Sequence, residues 1–70
     1  LAGTLSAADL NTAINHFNRT DYRAALGELA AIDPKDAAVY AWIGQSQYQL
    51  GEYKKATEAL EKAVQLEPSN

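Results

Sequence analysis

Residues 40–60 read YAWIGQSQYQLGEYKKATEAL, and this stretch decides the fold. On both sides of Gly51, apolar or small residues recur every three or four positions, which is the spacing of one face of an α-helix. A glycine at such a place ends a helix because it adopts the left-handed conformation without strain. The stretch therefore predicts two helices joined by a short turn, which forces them to lie antiparallel. The residues that form the pattern are Tyr40, Ile43, Gly44, Tyr48, Tyr53, Ala56 and Leu60.

The same arrangement occurs earlier in the chain. Residues 6–32 can be laid over residues 37–63 without a gap, so that small residues meet small residues and aromatic residues meet aromatic ones. Such self-similarity is the mark of stacked helical units. The sequence therefore predicts an all-α fold of two tandem antiparallel helix-turn-helix repeats, four helices in all. The matched pairs are Ala13 with Gly44, Phe17 with Tyr48, Tyr22 with Tyr53, Ala25 with Ala56 and Leu29 with Leu60.

Capping and stop residues set the predicted limits of these helices. We expect helices over about 7–18, 22–32, 37–50 and 53–66. An oxygen-bearing side chain precedes each of the first three helices and can accept a hydrogen bond from its first turn. Those predicted caps are Ser6, with Asp9 completing a capping box, then Asp21 and Asp36. The predicted stops are Pro34, Gly51 and Pro68.

Size and composition limit the possible functions. Seventy residues make one small domain. Nine acidic against six basic residues give a net charge of −3, which argues against general affinity for nucleic-acid phosphates. The chain has no cysteine, and it has no run of about 18 apolar residues for membrane insertion. It begins at Leu1 without a signal-peptide pattern, so we expect a segment of a longer protein, with residues 1–5 as a connection.

The second unit resembles a tetratricopeptide repeat over residues 37–70, which is the 34-residue period of that family. The first unit, residues 6–36, resembles a divergent copy. It has Asp9 where the family has an aromatic residue and Thr12 where it has leucine, and Pro34 arrives three residues early. The residues of the second unit that fit the family pattern are Tyr40, Ile43, Gly44, Ala56, Leu60 and Pro68.

The resemblance also explains the matched small residues and tyrosines. It implies that small side chains lie where two helices of a pair cross closely, since bulk there would force the helices apart. It also implies that Tyr22 and Tyr53 fill the space between one pair and its neighbour. The predicted crossing points are Ala13 with Ala25 in the first unit and Gly44 with Ala56 in the second.

A concave groove lined by the first helix of each unit is the binding surface that the resemblance implies. The residues expected there are mostly apolar or amide-bearing, so the groove would hold a peptide or partner segment by burying its side chains and bonding its backbone. Some family members bind acidic carboxyl tails through basic groove residues, but only Asn11 fits that pattern here. The expected groove residues are Leu10, Asn11, Ile14, Phe17, Asn18, Ala38, Ala41, Trp42, Gln45, Tyr48 and Gln49.

Trp42 has two possible roles in this prediction. It can pack inside the helix stack, which is the common fate of a tryptophan. It can also anchor a ligand in the groove, because tryptophan is enriched among binding hot spots. Phe17 and Tyr48 occupy equivalent places and are expected to lie partly in the core and partly at the groove floor.

No catalytic, metal or cofactor site is predicted. His16 is the single histidine, and Asp9 lies two helical turns away, too far to orient it as a general base. Glycine-rich phosphate loops and metalloprotease motifs are absent from the sequence. Lys54, Lys55 and Lys62 are expected to form a solvated helix face.

Two functions from different classes remain open at the level of sequence. The first is a non-catalytic interaction module that binds a protein or peptide in the groove. The alternative is a structural or oligomerisation segment of a longer helical-repeat protein, because the apolar face formed by Leu60, Val64 and Leu66 lacks a covering helix. Regulation of an enzyme elsewhere in a parent protein is a third, weaker possibility.

Overall fold

The computed structural model of the protein describes residues 9–67. No β-strand occurs within this range, so the predicted all-α fold is confirmed. The predicted connection at residues 1–5, the Ser6 cap and Pro68 lie outside the described residues. The helices are α1 (Leu10–Asn18), α2 (Tyr22–Ala30), α3 (Ala37–Gln49) and α4 (Tyr53–Leu66).

The first helix begins later than predicted. Asp9 has an extended backbone, with φ −141° and ψ 164°, and its side-chain Oδ1 accepts a hydrogen bond from the Thr12 backbone N–H at 2.8 Å. Asp9 is therefore the N-cap of α1, and the predicted start at residue 7 is wrong. The physical reason is that an aspartate at this place can itself cap a helix, so the chain turns helical only after it.

The next two helices differ in how their first turns are capped. Asp36 caps α3 as predicted, since its Oδ1 accepts a hydrogen bond from the Val39 backbone N–H at 3.0 Å. Asp21 occupies the N-cap position of α2, but its side chain makes no capping hydrogen bond. The Asp21 carboxylate lies instead 3.6 Å from Nδ1 of His16. Side-chain capping therefore stabilises α3 but not α2.

The turns inside the two helix pairs have the same geometry. Each contains one residue with positive φ, Thr20 at 63° in the first turn and Gly51 at 83° in the second. Glycine adopts this conformation freely, as predicted for Gly51, whereas the branched side chain of threonine disfavours it. The equivalent backbone hydrogen bonds that close the turns run from Asp21 to His16 and from Glu52 to Gln47, both at 2.9 Å.

The second helix ends at Ala30, two residues before the predicted end at residue 32. Ile32 follows in a turn, and its backbone N–H donates to the Leu29 oxygen at 3.1 Å. The Lys35 ammonium donates to the backbone oxygens of Ala30 and Ile32, each at 3.0 Å. The lysine thus satisfies the last carbonyl of α2, one of those that a helix end leaves without partners, and one carbonyl of the loop that follows.

The helices pack in chain order. α1 lies against α2 and α3 lies against α4, as predicted. α3 also covers α2 and makes a lighter contact with α1, so it joins the two pairs. The buried centre of this junction consists of Ala13, Leu29 and Val39, with the half-buried Leu10, Ile32, Trp42 and Ile43 packed against it.

Close approach between α3 and α4 depends on Gly44. A Cβ atom placed on Gly44 would lie 2.7 Å from Cγ and 2.8 Å from Cδ2 of Leu60, and 3.2 Å from the backbone oxygen of Ala56. Real Cβ contacts are longer than the first two of these distances, so a larger residue fits only if the Leu60 side chain or α4 itself moves. The predicted crossing of Gly44 with Ala56 therefore has a direct steric basis.

The two tyrosines that follow the turns have different surroundings. Tyr22 is half-buried and packs edge-on against Phe17, with ring centroids 5.1 Å apart. Tyr53 is 60% exposed, so the prediction that it fills space between a pair and its neighbour is wrong for the described chain. The reason is that α3 covers the first pair, whereas no described helix covers the second.

Candidate peptide-binding groove

A hollow lies between α1 and α3, at the junction of the two helix pairs. Its volume is about 390 Å³, and it is mainly apolar. The residues around it come from both pairs, so neither pair forms this surface alone. They are Phe17 from α1 and Ala41, Trp42 and Gln45 from α3.

Aromatic rings form one wall of this hollow. The Phe17 ring packs edge-on against Trp42, with centroids 5.1 Å apart and planes at 74°. On its other side Phe17 packs against Tyr22 in a similar geometry. Each contact of this kind adds about 0.5–1.5 kcal/mol beyond the burial of the rings. These contacts join the Phe17 ring to both α2 and α3.

Trp42 lies between the core and the hollow. It is half-buried and packs against the core formed by Ala13, Leu29 and Val39. It also lines the hollow beside Gln45. The indole therefore contributes both to the junction of the helix pairs and to the surface of the hollow.

The other residues predicted for the groove are divided between core and surface. The structure brings Phe17, Ala41, Trp42 and Gln45 together around the hollow. Tyr48 is not among them, because it is 57% exposed and packs against Tyr53, with centroids 5.1 Å apart. Of the rest, Leu10 and Ile14 are half-buried, whereas Asn11, Asn18, Ala38 and Gln49 are exposed.

No charged side chain lines the hollow. At the other end of α1, hydrogen bonds from Thr12 lower the pKa of the Asp9 carboxyl below its ordinary value. These bonds favour the ionised form of Asp9 because they are donated to the carboxylate. This charge caps the helix and does not line the hollow.

His16 lies between α1 and α2 rather than in the hollow. Its Nδ1 is 3.6 Å from an Asp21 carboxylate oxygen, and its Nε2 is 4.0 Å from a Glu28 carboxylate oxygen. Sequence reasoning missed both acids because they belong to the facing helix, and only the pairing of α1 with α2 brings them close. Over residues 9–67, no group of three or more histidines, cysteines or acids is placed to hold a metal ion.

A second apolar hollow lies on the outer face of α4, with a volume of about 420 Å³. We refer to this surface as the α4 outer face. Its residues follow one another at helical spacing, so they share one side of the helix. The sequence indicates this face through Leu60 and Val64 but not its polar members. The lining residues are Thr57, Leu60, Glu61, Val64 and Gln65.

Comparison with known proteins identifies the family of the second helix pair. The sequence model of the tetratricopeptide repeat matches residues 37–70, which include α3 and α4. The second helix pair, within residues 37–70, therefore belongs to the tetratricopeptide-repeat family. Tetratricopeptide repeats generally mediate protein–protein interaction and are generally non-catalytic. Among residues 9–67, no helix has both the length and the apolarity to cross a bilayer.

A curated relative supports the assignment. The chain is 37% identical over 43 residues to small glutamine-rich tetratricopeptide repeat-containing protein 2 of Mycosarcoma maydis. The matched part covers 61% of this chain but 12% of the relative, so the chain spans a small fraction of that protein's length. No solved structure matches the chain.

Proposed function

We propose that this chain is a non-catalytic interaction module that binds a peptide or a segment of a partner protein in the hollow between α1 and α3. The observation that carries the proposal is that two helix pairs together form an apolar hollow with Trp42 and Phe17 in its wall. Tryptophan is among the residues that most often dominate binding energy. A hollow of this size accepts one large apolar side chain.

The chemistry of the lining indicates which segments would bind. Phe17, Ala41 and Trp42 offer apolar contact, and the Gln45 side chain offers both a hydrogen-bond donor and an acceptor to a peptide backbone. No basic side chain lines the hollow, so an acidic peptide would lose its hydration without gaining an ion pair. The preferred ligand is therefore an uncharged segment with a leucine or aromatic residue at its centre.

The absence of catalysis is part of the proposal. A hydrolytic or acid–base site needs a nucleophile, a base and an orienting group in contact. His16 has two carboxylates beside it, but it does not line the hollow, whose only amide side chain is that of Gln45. The general role of the family agrees with an interaction module.

The test is selection of ligands from a random library of linear 12-residue peptides. We expect the selected peptides to be rich in leucine and aromatic residues and poor in aspartate and glutamate. Because Trp42 is the single tryptophan, its fluorescence reports binding at the proposed site directly. The selected peptides should change this fluorescence in a saturable way.

A matched pair of variants locates the binding. Gln45→Arg places a charge in the hollow at an exposed position, and Gln65→Arg makes the same change at an exposed position on the α4 outer face. We expect Gln45→Arg to weaken binding by about tenfold or more and Gln65→Arg to leave it unchanged. Equal binding to both variants, or a selected set dominated by acidic peptides, would contradict the proposal.

A further inference from the structure

A third hollow lies between α3 and α4 and shares no lining residue with the two hollows described above. Its volume is about 320 Å³, and we refer to it as the α3–α4 hollow. Its lining residues on each helix stand three, four or seven positions apart, so they share one face of that helix. Five of the side chains around it are charged or polar. They are Tyr40 and Gln47 from α3 and Lys55, Glu58 and Lys62 from α4.

Gln47 brings an unsatisfied polar atom to this hollow. Its side-chain Oε1 is buried and has no hydrogen-bond partner among residues 9–67. A buried acceptor without a donor is unfavourable, and the last side-chain torsion of glutamine is soft, so the amide can turn toward a donor in the hollow. Gln47 therefore indicates a ligand that carries an N–H or O–H group.

The corresponding place in the first helix pair is occupied differently. His16 is the repeat-equivalent of Gln47, and its Nε2 lies 4.0 Å from a Glu28 carboxylate oxygen on the facing helix. In the second pair Ala59 stands in place of Glu28, so α4 offers Gln47 no polar group there. The unsatisfied amide is therefore a property of this second pair and not of both helix pairs.

Two lysines supply positive charge at the α3–α4 hollow. Lys55 and Lys62 are exposed, and neither forms an ion pair with an acid among residues 9–67. The Lys62 ammonium lies over the ring of Tyr40, with Nζ 5.8 Å from the ring centroid, which favours a position at the hollow. The equivalent residues of the first pair are Ala24 and Ala31. Two ammonium groups without acidic partners favour the binding of a carboxylate.

Glu58 limits the charge of a ligand in this hollow. It stands on α4 between the two lysines, three residues after Lys55 and four before Lys62. Its carboxylate repels a second anionic group and attracts a cationic one, so a dicarboxylate or a phosphate fits less well than a zwitterion. The apolar part of the lining is Ile43 and Ala59. The lining therefore matches a ligand with one carboxylate, one ammonium and a small apolar group.

We propose that the α3–α4 hollow binds a free α-amino acid with an apolar side chain. The carboxylate of the amino acid lies between the two lysines, its ammonium donates to Gln47 and Glu58, and its side chain contacts the apolar part of the lining. The volume of the hollow is near the lower end of the roughly 300–1,000 Å³ of ligand pockets, which suits so compact a ligand. This site is separate from the hollow between α1 and α3, and the inference does not depend on peptide binding there.

Titration of the isotope-labelled chain with L-leucine, followed by nuclear magnetic resonance, tests the proposal. We expect saturable shifts of the Gln47 side-chain amide and of the Ala59 backbone amide, while the Trp42 indole signal stays in place. Two analogues that each lack one charge are the ligand controls. 4-Methylpentanoate has no ammonium and L-leucinamide has no carboxylate, so each should bind about tenfold or more weakly than leucine, because a hydrogen bond to a charged group is lost.

Matched variants locate the site. Lys55→Gln should weaken leucine binding by about threefold or more. Lys54→Gln removes the neighbouring exposed charge, which does not line the hollow, and should leave binding unchanged. Gln47→Met removes the acceptor and should weaken binding by about threefold or more without lowering the Tm, because the buried oxygen has no partner to lose.

Three results would overturn the proposal. The first is an absence of saturable shifts with leucine. The second is equal binding of leucine and its two analogues, which would show that the hollow does not recognise both charges. The third is an equal loss of binding in Lys54→Gln and Lys55→Gln, which would show that leucine responds to the net charge of the chain and not to this hollow.

Discussion

At the scale of single residues, the effect of a residue on stability depends more on the atoms around it than on its residue type. Gly27 and Gly44 both lie inside helices, where glycine is less favourable than alanine by about 0.5–1 kcal/mol. A Cβ atom on Gly27 would meet no atom within 4 Å, whereas one on Gly44 would press into Leu60. The first glycine therefore costs stability without a packing reason, and the second is required by the approach of α4.

The two glycines give a prediction of opposite sign for the same substitution. Gly27→Ala should raise the free energy of unfolding by about 0.5–1 kcal/mol, because only helix propensity changes. Gly44→Ala should lower it by about 1–3 kcal/mol, because α3 and α4 must separate. Urea denaturation followed by circular dichroism measures both values. A stabilising Gly44→Ala would remove the steric basis of the crossing.

Thr20 offers a second prediction at this scale. Its φ of 63° is the same kind of conformation that Gly51 adopts at the equivalent turn, but a branched side chain disfavours it. Thr20→Gly should therefore stabilise the protein by about 1 kcal/mol, the relief of strain outweighing the greater freedom of glycine in the unfolded chain. Thermal unfolding measures the change, with Thr57→Gly in the middle of α4 as a destabilising control.

At the scale of helices, the ends were harder to predict than the interiors. The predicted α4 agrees with Tyr53–Leu66, and α3 ends at Gln49, one residue before its predicted end. The start of α1 was wrong because Ser6 and Asp9 are both acceptable caps in sequence, and only the backbone conformation of Asp9 decides between them. The end of α2 was wrong because the Lys35 hydrogen bonds depend on the folded loop.

Capping hydrogen bonds give a prediction at the level of helices. Asp36→Ala should lower the free energy of unfolding by about 1 kcal/mol, because the first turn of α3 loses the bond to Val39. Asp21→Ala is the matched control at the N-cap position of α2, where no capping bond is made. Its effect should be clearly smaller. Equal losses of stability in the two variants would show that the capping bond of Asp36 does not stabilise α3.

The stability that the Asp9 cap gives to the first turn of α1 should depend on pH. The pKa of Asp9 is lowered in the folded state, so its contribution to stability is fully present above the ordinary aspartate pKa of about 3.9 and is lost as the pH falls through the lower folded-state value. Asp9→Asn keeps a capping oxygen without the charge. The loss of stability below about pH 4 should therefore be smaller in this variant than in the wild type. Parallel acid curves for the two proteins would contradict the role of Asp9.

At the scale of the whole molecule, α3 joins the two helix pairs into one folding unit. It packs against α4 through Gly44 and against the first pair through Val39 and Trp42. Neither pair buries its apolar surface alone, which is the usual situation in stacked helical repeats. Stability and the shape of the hollow therefore depend on the same junction.

This arrangement predicts a single unfolding transition. Trp42 fluorescence reports the junction, and far-ultraviolet circular dichroism reports all helices, so their urea curves should coincide. Trp42→Ala should lower the free energy of unfolding by about 2 kcal/mol, less than the roughly 3–5 kcal/mol of a fully buried ring, because the indole is only partly buried. A fluorescence transition that precedes the helical one would show that the pairs separate before they unfold.

The candidate site was only partly accessible from sequence. The resemblance to a tetratricopeptide repeat suffices to place Phe17, Trp42 and Gln45 on a common surface. It could not indicate that Tyr48, the equivalent of Phe17, would be exposed: Trp42 of α3 packs on Phe17, whereas no further described helix packs on the second pair. Nor could residue spacing predict that Trp42 packs against the core and also lines the hollow, because this depends on how the two helix pairs pack against each other.

The most direct test of the account is the position of the bound peptide on the molecule. Titration of the isotope-labelled chain with a selected 12-residue peptide can be followed by nuclear magnetic resonance, in which Trp42 gives a single indole N–H signal. The account predicts saturable shifts of this signal and of the Phe17 and Gln45 amides, with the Val64 and Gln65 amides unmoved. Shifts confined to Val64 and Gln65, with a stationary indole signal, would contradict it.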